Sequence, residues 1–307
     1  PFLTYFHGKS FQKNISRFHP YLQLAPPTYK DRHSNSALPP MKIFCLGGST
    51  TEFRDSNGRG WPLLVQERLR KTLLDRDVEV FNLGRRWYSS LHTLVNYQTN
   101  LRKHKPDVIL VTHAINDLLH NAEFSFLSDG PFREDYGHFL GPLYRYVKLR
   151  SIANMTSATL DLVWYAPKRE VIDTRNFPGL LPFKRNLVTL CDLARADGTR
   201  VVLITQPYLI KKTLSEPEKA ALVMVNYEAV GPTKRWSYRT ARWGMEQYTS
   251  CVRQVARETH VELIDLEKVV PKQLDYMYDD VHYTDKAYDL ISKVIASQLL
   301  ELGVVRH

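Results

Sequence analysis

Long apolar runs and cysteine are both scarce in this chain of 307 residues. No run reaches the roughly 18 apolar residues that a membrane-spanning helix needs, so no transmembrane helix is predicted. The three cysteines, Cys45, Cys191 and Cys251, show no CxxC or metal-type spacing. Cys45 lies in an apolar stretch and the other two lie in expected helices. This pattern favours buried free thiols over a disulfide framework, with one disulfide as the alternative.

Motifs for nucleotides and metals are also missing. The chain has neither GxGxxG nor the Lys-Ser/Thr pair of a Walker loop, which ranks nucleotide binding low. His282 has no HxxxH or HxH companion, and a metal would need two or three further ligands near it. We therefore expect no metal and no cofactor.

Basic residues outnumber acidic ones, with a formal charge of +10. Such an excess suggests an acidic partner, namely an anionic polysaccharide, a phospholipid surface or nucleic acid. The alternative is that the lysines and arginines are spread over solvated helix faces. No nucleic-acid-reading motif is present, so a nucleic-acid partner is not expected. Peripheral membrane contact stays open, and the oligomeric state cannot be predicted.

Residues 1–40 are rich in proline and aromatics and have no sustained helical or strand period. We interpret them as an extended arm that packs over a domain spanning residues 41–307. The chain begins at Pro1 without a methionine, which raises the hypothesis of an upstream signal or anchor. The location is unknown, and the cell envelope or secretion is suspected.

From Met41 onward, short apolar runs alternate with helical patterns, which predicts an α/β fold with a parallel, doubly wound sheet. Its ligand site should lie beyond the carboxyl ends of the strands. Residues 118–183 and 207–236 interrupt the alternation as long insertions that we expect to shape the pocket. The predicted strands are Met41 to Leu46, Val78 to Leu83, Val108 to Thr112, Arg200 to Thr205 and Val261 to Asp265. The predicted helices start near Pro62, run from Ser89 or Ser90 to His104, and cover residues 184–196, 238–259 and 285–300.

Two polar residues follow predicted strands. Ser49 comes after Gly47 and Gly48, whose lack of side chains permits a sharp turn and close approach of a substrate. Its alternative role is that of a helix cap or turn former. Asn116 follows the third strand, where its amide could stabilise an oxyanion or simply form an Asx turn.

Near the far end of the chain, Asp279 stands three residues before His282, on a loop that Thr284 ends by capping the last helix. A carboxylate at this spacing can hold the imidazole in one tautomer, as a general base requires. Asp280 is the alternative carboxylate. His113 is a second imidazole nearby, interpreted as a supporting or core residue. Ser49, His282 and Asp279 together are the parts of a serine hydrolase.

Four blocks in order carry a resemblance to a known family: Gly47-Gly48-Ser49 after the first strand, Asn82-Leu83-Gly84 with Ser89 after the second, Asn116-Asp117, and Asp279-x-x-His282. The chain resembles the SGNH hydrolase superfamily, the GDSL-type esterases and lipases, over about residues 41–300. The resemblance implies a flavodoxin-like three-layer α/β/α sandwich with Ser49 as nucleophile, His282 as base and Asp279 as its orienting partner.

The resemblance also implies an oxyanion hole built from the Ser49 amide, the Asn116 side chain and a backbone amide of the second block. Here the sequence departs from the family, because Trp87 stands where a glycine is usual and Gly84 lies closer to the strand. Gly48 replaces the aspartate of the family name. Further substrate-binding candidates are Gly48, Thr50, Arg54, His113 and Arg86.

The expected function is a serine esterase that removes acyl groups, such as acetyl, from a carbohydrate or another hydroxyl compound. Aromatic residues in the insertions favour sugar stacking, and the basic balance favours an anionic, polymer-linked ester substrate. The alternatives are an acyltransferase or a lipase or lysophospholipase with the same triad, and an inactive binding protein with this fold.

Overall fold

A five-stranded parallel sheet forms the centre of the molecule in the computed structural model, which describes residues 18–19, 21–29, 39–73, 77–120, 131–138, 170–228 and 234–305. Two short strands, β1 (Phe18–His19) and β2 (Gln23–Leu24), precede it. The sheet contains β3 (Met41–Gly47), β4 (Val78–Asn82), β5 (Val108–Thr112), β7 (Arg200–Ile204) and β9 (Glu262–Ile264), in the spatial order β4-β3-β5-β7-β9. This is the flavodoxin-like order that the resemblance implies.

The strands form where apolar, often β-branched residues run together without alternation. All five residues of β5 are buried, as are six of the seven in β3. Both faces of these strands are therefore covered, as parallel sheets require. The register sets Gly47 at the end of β3 beside Thr112 at the end of β5. The segments after these two strands consequently emerge side by side.

Helices cover the sheet. They are α1 (Ser49–Glu52), α2 (Trp61–Thr72), α3 (Ser90–Asn96), α4 (Ile115–His120), α5 (Leu180–Ala196), α6 (Glu216–Ala221), α7 (Tyr238–Glu258), α8 (Leu266–Val269) and α9 (Asp285–Glu301). Helix α2 packs against α9, while α5 packs against α3 and α7. Side-chain caps define where some of these helices begin. At the start of α7, for example, the Ser237 hydroxyl accepts the Thr240 N–H at 3.0 Å. The two groups of helices and the sheet make three layers.

One predicted helix is shorter than expected. The helix predicted to run to His104 is α-helical only over α3, followed by a π turn at Tyr97–Leu101 and a 3₁₀ turn at Arg102–His104. Lys105 then takes a left-handed conformation, with φ of +48°. Pro106 disfavours the α conformation in the residue before it, which explains why the helix ends in a tight turn. The other predicted bounds differ by a few residues at most, such as Leu180 for Lys184.

The two predicted insertions meet in a small second sheet, where β6 (Glu170–Ile172) pairs in parallel with β8 (Lys234–Trp236). Most of the first insertion, including the aromatic residues Phe124, Phe126, Phe139, Tyr144, Trp164 and Tyr165, lies outside the described residues. The described part of the arm contacts the domain, because buried Tyr29 packs against Phe44 and Phe81 at ring distances of 4.8 Å. The rest of the proposed arm is also outside the described residues.

All three cysteines are buried free thiols, as the sequence predicted. Among the described residues, no helix is long and apolar enough to cross a membrane.

Candidate active site

The candidate site lies beyond the carboxyl ends of β3 and β5. The strand order reverses between these two strands, which makes this position the topological switch point of the sheet. In open α/β sheets this is the position where ligands bind. Ser49 is the first residue of α1 and follows β3 after a single residue, Gly48. Asn116 lies in the first turn of α4, just after β5. The parallel register of the two strands thus brings these side chains to one edge.

A hydrogen-bonded series of three side chains runs through this edge. Ser49 Oγ lies 2.7 Å from His282 Nε2, and His282 Nδ1 lies 2.6 Å from Asp279 Oδ2. Ser49 and His282 are only 7% and 8% exposed, so the hydroxyl–imidazole contact is largely shielded from solvent. A base within hydrogen-bonding reach of a hydroxyl, itself oriented by a carboxylate, can activate that hydroxyl for attack.

Asp279 is held in place by its own loop. Its Oδ1 accepts the N–H groups of Val281 and His282 at 2.9 and 2.8 Å, which leaves Oδ2 directed at the imidazole. Burial acts to raise the pKa of Asp279, but the hydrogen bonds from the imidazole and from the two N–H groups, with the electrostatic attraction of His282, outweigh it and hold the pKa below its usual value. An ionised Asp279 fixes the Nδ1–H tautomer, leaving Nε2 free to accept the Ser49 proton.

Asp280, the alternative carboxylate, faces the other way. Its two oxygens accept the N–H groups of Met224 and Val225 at 2.8 and 3.2 Å. Asp280 therefore ties the second insertion to the loop that carries His282. The structure brings Asp279, and not Asp280, to the imidazole.

Two aromatic rings that the sequence analysis did not single out lie roughly parallel to the imidazole of His282. The Phe53 ring lies 4.8 Å from it and the Tyr278 ring 5.7 Å from it. The Tyr278 backbone N–H also donates to the His282 carbonyl at 3.1 Å, which closes the loop. Stacked rings restrict rotation of the imidazole. In the sequence, only their positions could have pointed to them: Tyr278 precedes Asp279, and Phe53 directly follows α1.

Asn116 is a buried donor close to Ser49. One N–H of its Nδ2 donates to the Tyr88 carbonyl at 2.8 Å, and its second N–H has no partner among the described residues. A Cβ at Gly48 would stand 2.6 Å from Asn116 Nδ2, so a side chain there would displace the amide. The absence of a side chain at Gly48 therefore leaves room for the Asn116 amide. The Tyr88 carbonyl orients that amide, and a backbone carbonyl cannot be recognised as a partner from the sequence.

The backbone amides after β4 differ in how they are used. Gly84 N–H donates to Asn82 Oδ1 at 3.2 Å, and Arg85 N–H donates to the Gly47 carbonyl at 3.0 Å. Arg86 N–H donates to Glu52 Oε2 at 2.6 Å, and Tyr88 N–H returns to the Arg85 carbonyl. In this turn, Trp87 N–H alone has no acceptor among the described residues. Gly84 instead packs closely, since a Cβ there would lie 2.6 Å from Thr51 Cβ.

Trp87 has a φ of +67°, in the left-handed region that glycine adopts most easily. A residue with a Cβ therefore holds a conformation that favours glycine, at the position where the sequence analysis places the family's usual glycine. Among the described residues, three N–H donors at this edge have no acceptor: that of Ser49, at the first position of α1, that of Trp87, and one from Asn116. Together they can accept a developing negative charge on a carbonyl oxygen.

The remaining predicted substrate-binding residues lie in different surroundings. Thr50 is buried and bonds the Tyr283 hydroxyl, away from solvent. Arg54 is exposed beside Phe53, and the guanidinium of Arg86 lies 5.4 Å from the Phe53 ring centre. His113 is buried and bonds Thr93 through Nε2 at 2.8 Å. Burial and nearby His92 lower the pKa of His113 to about 3, so it is neutral.

No group of three or more histidine, cysteine or carboxylate side chains suited to a metal ion occurs in the described parts of the chain.

The sequence was compared with models of protein families, and the structure with solved structures; both comparisons point to ester hydrolases. The model of the GDSL-like Lipase/Acylhydrolase family matches residues 45–290. No curated protein matched the chain. The acetyl xylan esterase AlAXEase is similar in structure, with a TM-score of 0.50 and 15% identity over 84% of this chain and 99% of that one. A mutant of an acetyl-xylooligosaccharide esterase from Geobacillus Stearmophilus gives a TM-score of 0.50 and 16% identity over 89% and 100% of the two chains.

The family match covers most of the chain and both ends of the hydrogen-bonded series. The chain therefore belongs to the GDSL-like Lipase/Acylhydrolase family, within the SGNH hydrolase superfamily, and is an acylhydrolase that acts on esters. The structural neighbours share its fold.

Proposed function

We propose that this protein is a serine esterase that forms an acyl-enzyme on Ser49. The observation that carries the proposal is the series Asp279–His282–Ser49, with contacts of 2.6 and 2.7 Å at an edge that also offers three unused N–H donors. Each of the three side chains has a role in acyl transfer. The atoms that make these contacts, Asp279 Oδ2, the two ring nitrogens of His282 and Ser49 Oγ, have no competing hydrogen bond among the described residues.

In the first step, His282 Nε2 takes the proton of Ser49 Oγ as the oxygen attacks the ester carbonyl. The carbonyl oxygen becomes an oxyanion, which the N–H groups of Ser49, Trp87 and Asn116 stabilise. In hydrolases such donors contribute about 3 kcal/mol each to lowering the barrier. His282 then gives its proton to the leaving alcohol, and water releases the acyl group by the same route.

The proposed substrate is a small acyl ester, such as an acetyl ester, of a carbohydrate or another hydroxyl compound, free or linked to a polymer. The charge of +10 and exposed Arg54 beside the site favour an anionic carrier. The two structural neighbours named above are described as esterases of acetylated xylan and its oligosaccharides, which makes acetylated glycans the first natural substrates to assay.

An acyltransferase is the second candidate, because a sugar hydroxyl in place of water would accept the acyl group from the same intermediate. A lipase or lysophospholipase would use the same residues with a longer acyl chain. An inactive binding protein of this fold would show no ester hydrolysis, because its Ser49 hydroxyl would not react.

The test is hydrolysis of a series of p-nitrophenyl esters, from acetyl to long acyl chains, by the parent and by Ser49→Ala. We expect activity greatest with acetyl and a loss of at least about 1000-fold in kcat in the variant, since the nucleophile is removed. Ser56→Ala is the matched control, because Ser56 is exposed and its hydrogen bonds go to Asp285 and not to Ser49, His282 or Asp279. Parental turnover by Ser49→Ala would overturn the proposal, and a maximum at long chains would favour the lipase.

A further inference from the structure

Glu52 lies three residues after Ser49, at the last position of α1, and its side chain is only 17% exposed. Its Oε2 accepts the backbone N–H of Arg86 at 2.6 Å and the Nε of the same residue at 3.1 Å. Its Oε1 accepts from Nη1 of Arg85 at 2.8 Å. One carboxylate therefore connects the helix that starts at Ser49 with two consecutive residues of the turn after β4.

That turn ends in Trp87, whose unused N–H is the third donor of the proposed oxyanion hole. A left-handed backbone is unfavourable for a bulky side chain and persists only where the surroundings hold it. The bond from Arg86 N–H to Glu52 fixes the Arg85–Arg86 peptide, which is next to the peptide that carries the Trp87 N–H. Charge-assisted bonds to a carboxylate are stronger than bonds between neutral groups, so Glu52 is a firm anchor for this peptide.

We propose that Glu52 is a positioning residue for the oxyanion hole: its carboxylate holds the Arg85–Arg86 backbone so that the Trp87 N–H keeps its place relative to Ser49. The inference rests on the proposed function. The Glu52 carboxylate bonds Arg85 and Arg86 and has no hydrogen bond to Ser49 or His282 among the described residues, so it acts through the turn.

An electrostatic role and a positioning role for Glu52 predict opposite changes in kcat when its charge is removed. Loss of a negative charge close to the hole, with Arg85 and Arg86 retained, would stabilise an oxyanion and raise kcat if charge alone mattered. Loss of the anchor would misplace the Trp87 N–H and lower kcat. Glu52→Gln keeps one carbonyl oxygen for the Arg86 N–H and Glu52→Ala keeps none, so positioning predicts a graded loss.

The experiment measures kcat and KM with p-nitrophenyl acetate and the thermal unfolding midpoint for the parent, Glu52→Gln and Glu52→Ala. We expect kcat to fall about tenfold in Glu52→Gln and further in Glu52→Ala, with KM within about threefold of the parent. Glu67→Gln is the control, because Glu67 pairs with Arg59 in a long, exposed contact of 3.9 Å and should leave kcat unchanged.

Fluorophosphonate labelling of Ser49 separates the two levels of the account. A labelled, active parent whose kcat is unchanged or raised in Glu52→Gln would overturn the positioning role alone. A loss of kcat explained by a matching loss of folded protein would overturn it as well. A parent that neither labels at Ser49 nor turns over ester would defeat the proposed function and this inference with it.

Discussion

Trp87 holds a backbone conformation that costs a residue with a Cβ about 1–2 kcal/mol. Its indole is half-buried and packs against the core, which offsets part of that cost. If the N–H of Trp87 is its contribution to the chemistry, the side chain can change as long as the left-handed conformation survives.

A pair of substitutions tests this view of residue 87. Trp87→Gly should retain kcat within about threefold, because glycine adopts a positive φ at low cost and keeps the N–H. Trp87→Val should lose at least about tenfold in kcat, because a β-branched side chain is strongly disfavoured at positive φ. Steady-state kinetics with p-nitrophenyl acetate measure both, and KM reports on any stacking of the indole against substrate. Equal kcat values for the two variants would contradict a role for the backbone conformation.

The sequence predicted some residues of the site better than others for a physical reason. The contact between Asp279 and His282 was predicted from their three-residue spacing, since one tight loop is enough to bring residues so close in the chain together. The free amide of Trp87 could not be predicted, because the hydrogen bonds of its neighbours decide which N–H remains. Likewise Glu52 carries no signal of its own, since its partners lie 33 and 34 residues away.

At the level of elements, a buried polar network joins the start of α3 to α4. Asp117 on α4 accepts both the N–H and the hydroxyl of Ser90, and it accepts the Tyr136 hydroxyl at 3.1 Å. Asn186 on α5 donates to the Ser90 hydroxyl at 3.0 Å. Burial raises the pKa of Asp117 to about 7, although the Ser90 and Tyr136 bonds act to lower it.

A raised pKa in the folded state makes stability depend on pH in a defined direction. The folded protein binds the Asp117 proton more tightly than the unfolded chain does, where the pKa is about 4. This contribution to the free energy of unfolding is therefore full below pH 4 and is lost as the pH rises through about 7. Between pH 5 and pH 8 the expected loss is about 3 kcal/mol, at about 1.4 kcal/mol for each unit of pKa difference.

Asp117→Asn removes the titrating group but retains its size. We expect the stability of this variant relative to the parent to rise by about 3 kcal/mol between pH 5 and pH 8, measured by urea unfolding. Any constant cost of the amide in the network cancels in this comparison. Asp192→Asn, at an exposed position paired with Arg195, is the control and should show no such rise. The same relative stability at both pH values would contradict the raised pKa.

The elements themselves follow from the sequence to differing degrees. Buried strands are visible as apolar runs, and β5 has the predicted bounds. The helix predicted to end at His104 was too long because its last two turns are π and 3₁₀, which share the helical apolar spacing. The pairing of β6 with β8 could not be predicted, since each strand has three residues and gains its partner only in the folded chain.

Over the whole molecule, the parallel sheet joins residues that are far apart in the chain. Ser49 and His282 are separated by 233 positions and meet because β3 and the loop before α9 end at the same edge. The order of strands β4-β3-β5-β7-β9 sets β3 beside the central strand β5, so Ser49 and Asn116 follow adjacent strand ends. Sequence periodicity gave the class of fold, whereas this order depends on how each connection crosses the sheet.

The most direct test of the central claim is intact-mass and peptide analysis of the protein after treatment with a fluorophosphonate probe. We predict one adduct, located on Ser49, formed rapidly by the parent and at least about 100-fold more slowly by His282→Ala, which lacks the base that activates the hydroxyl. No adduct, an adduct on another residue, or equal labelling rates in the two proteins would contradict the claim that Ser49 is a nucleophile activated by His282.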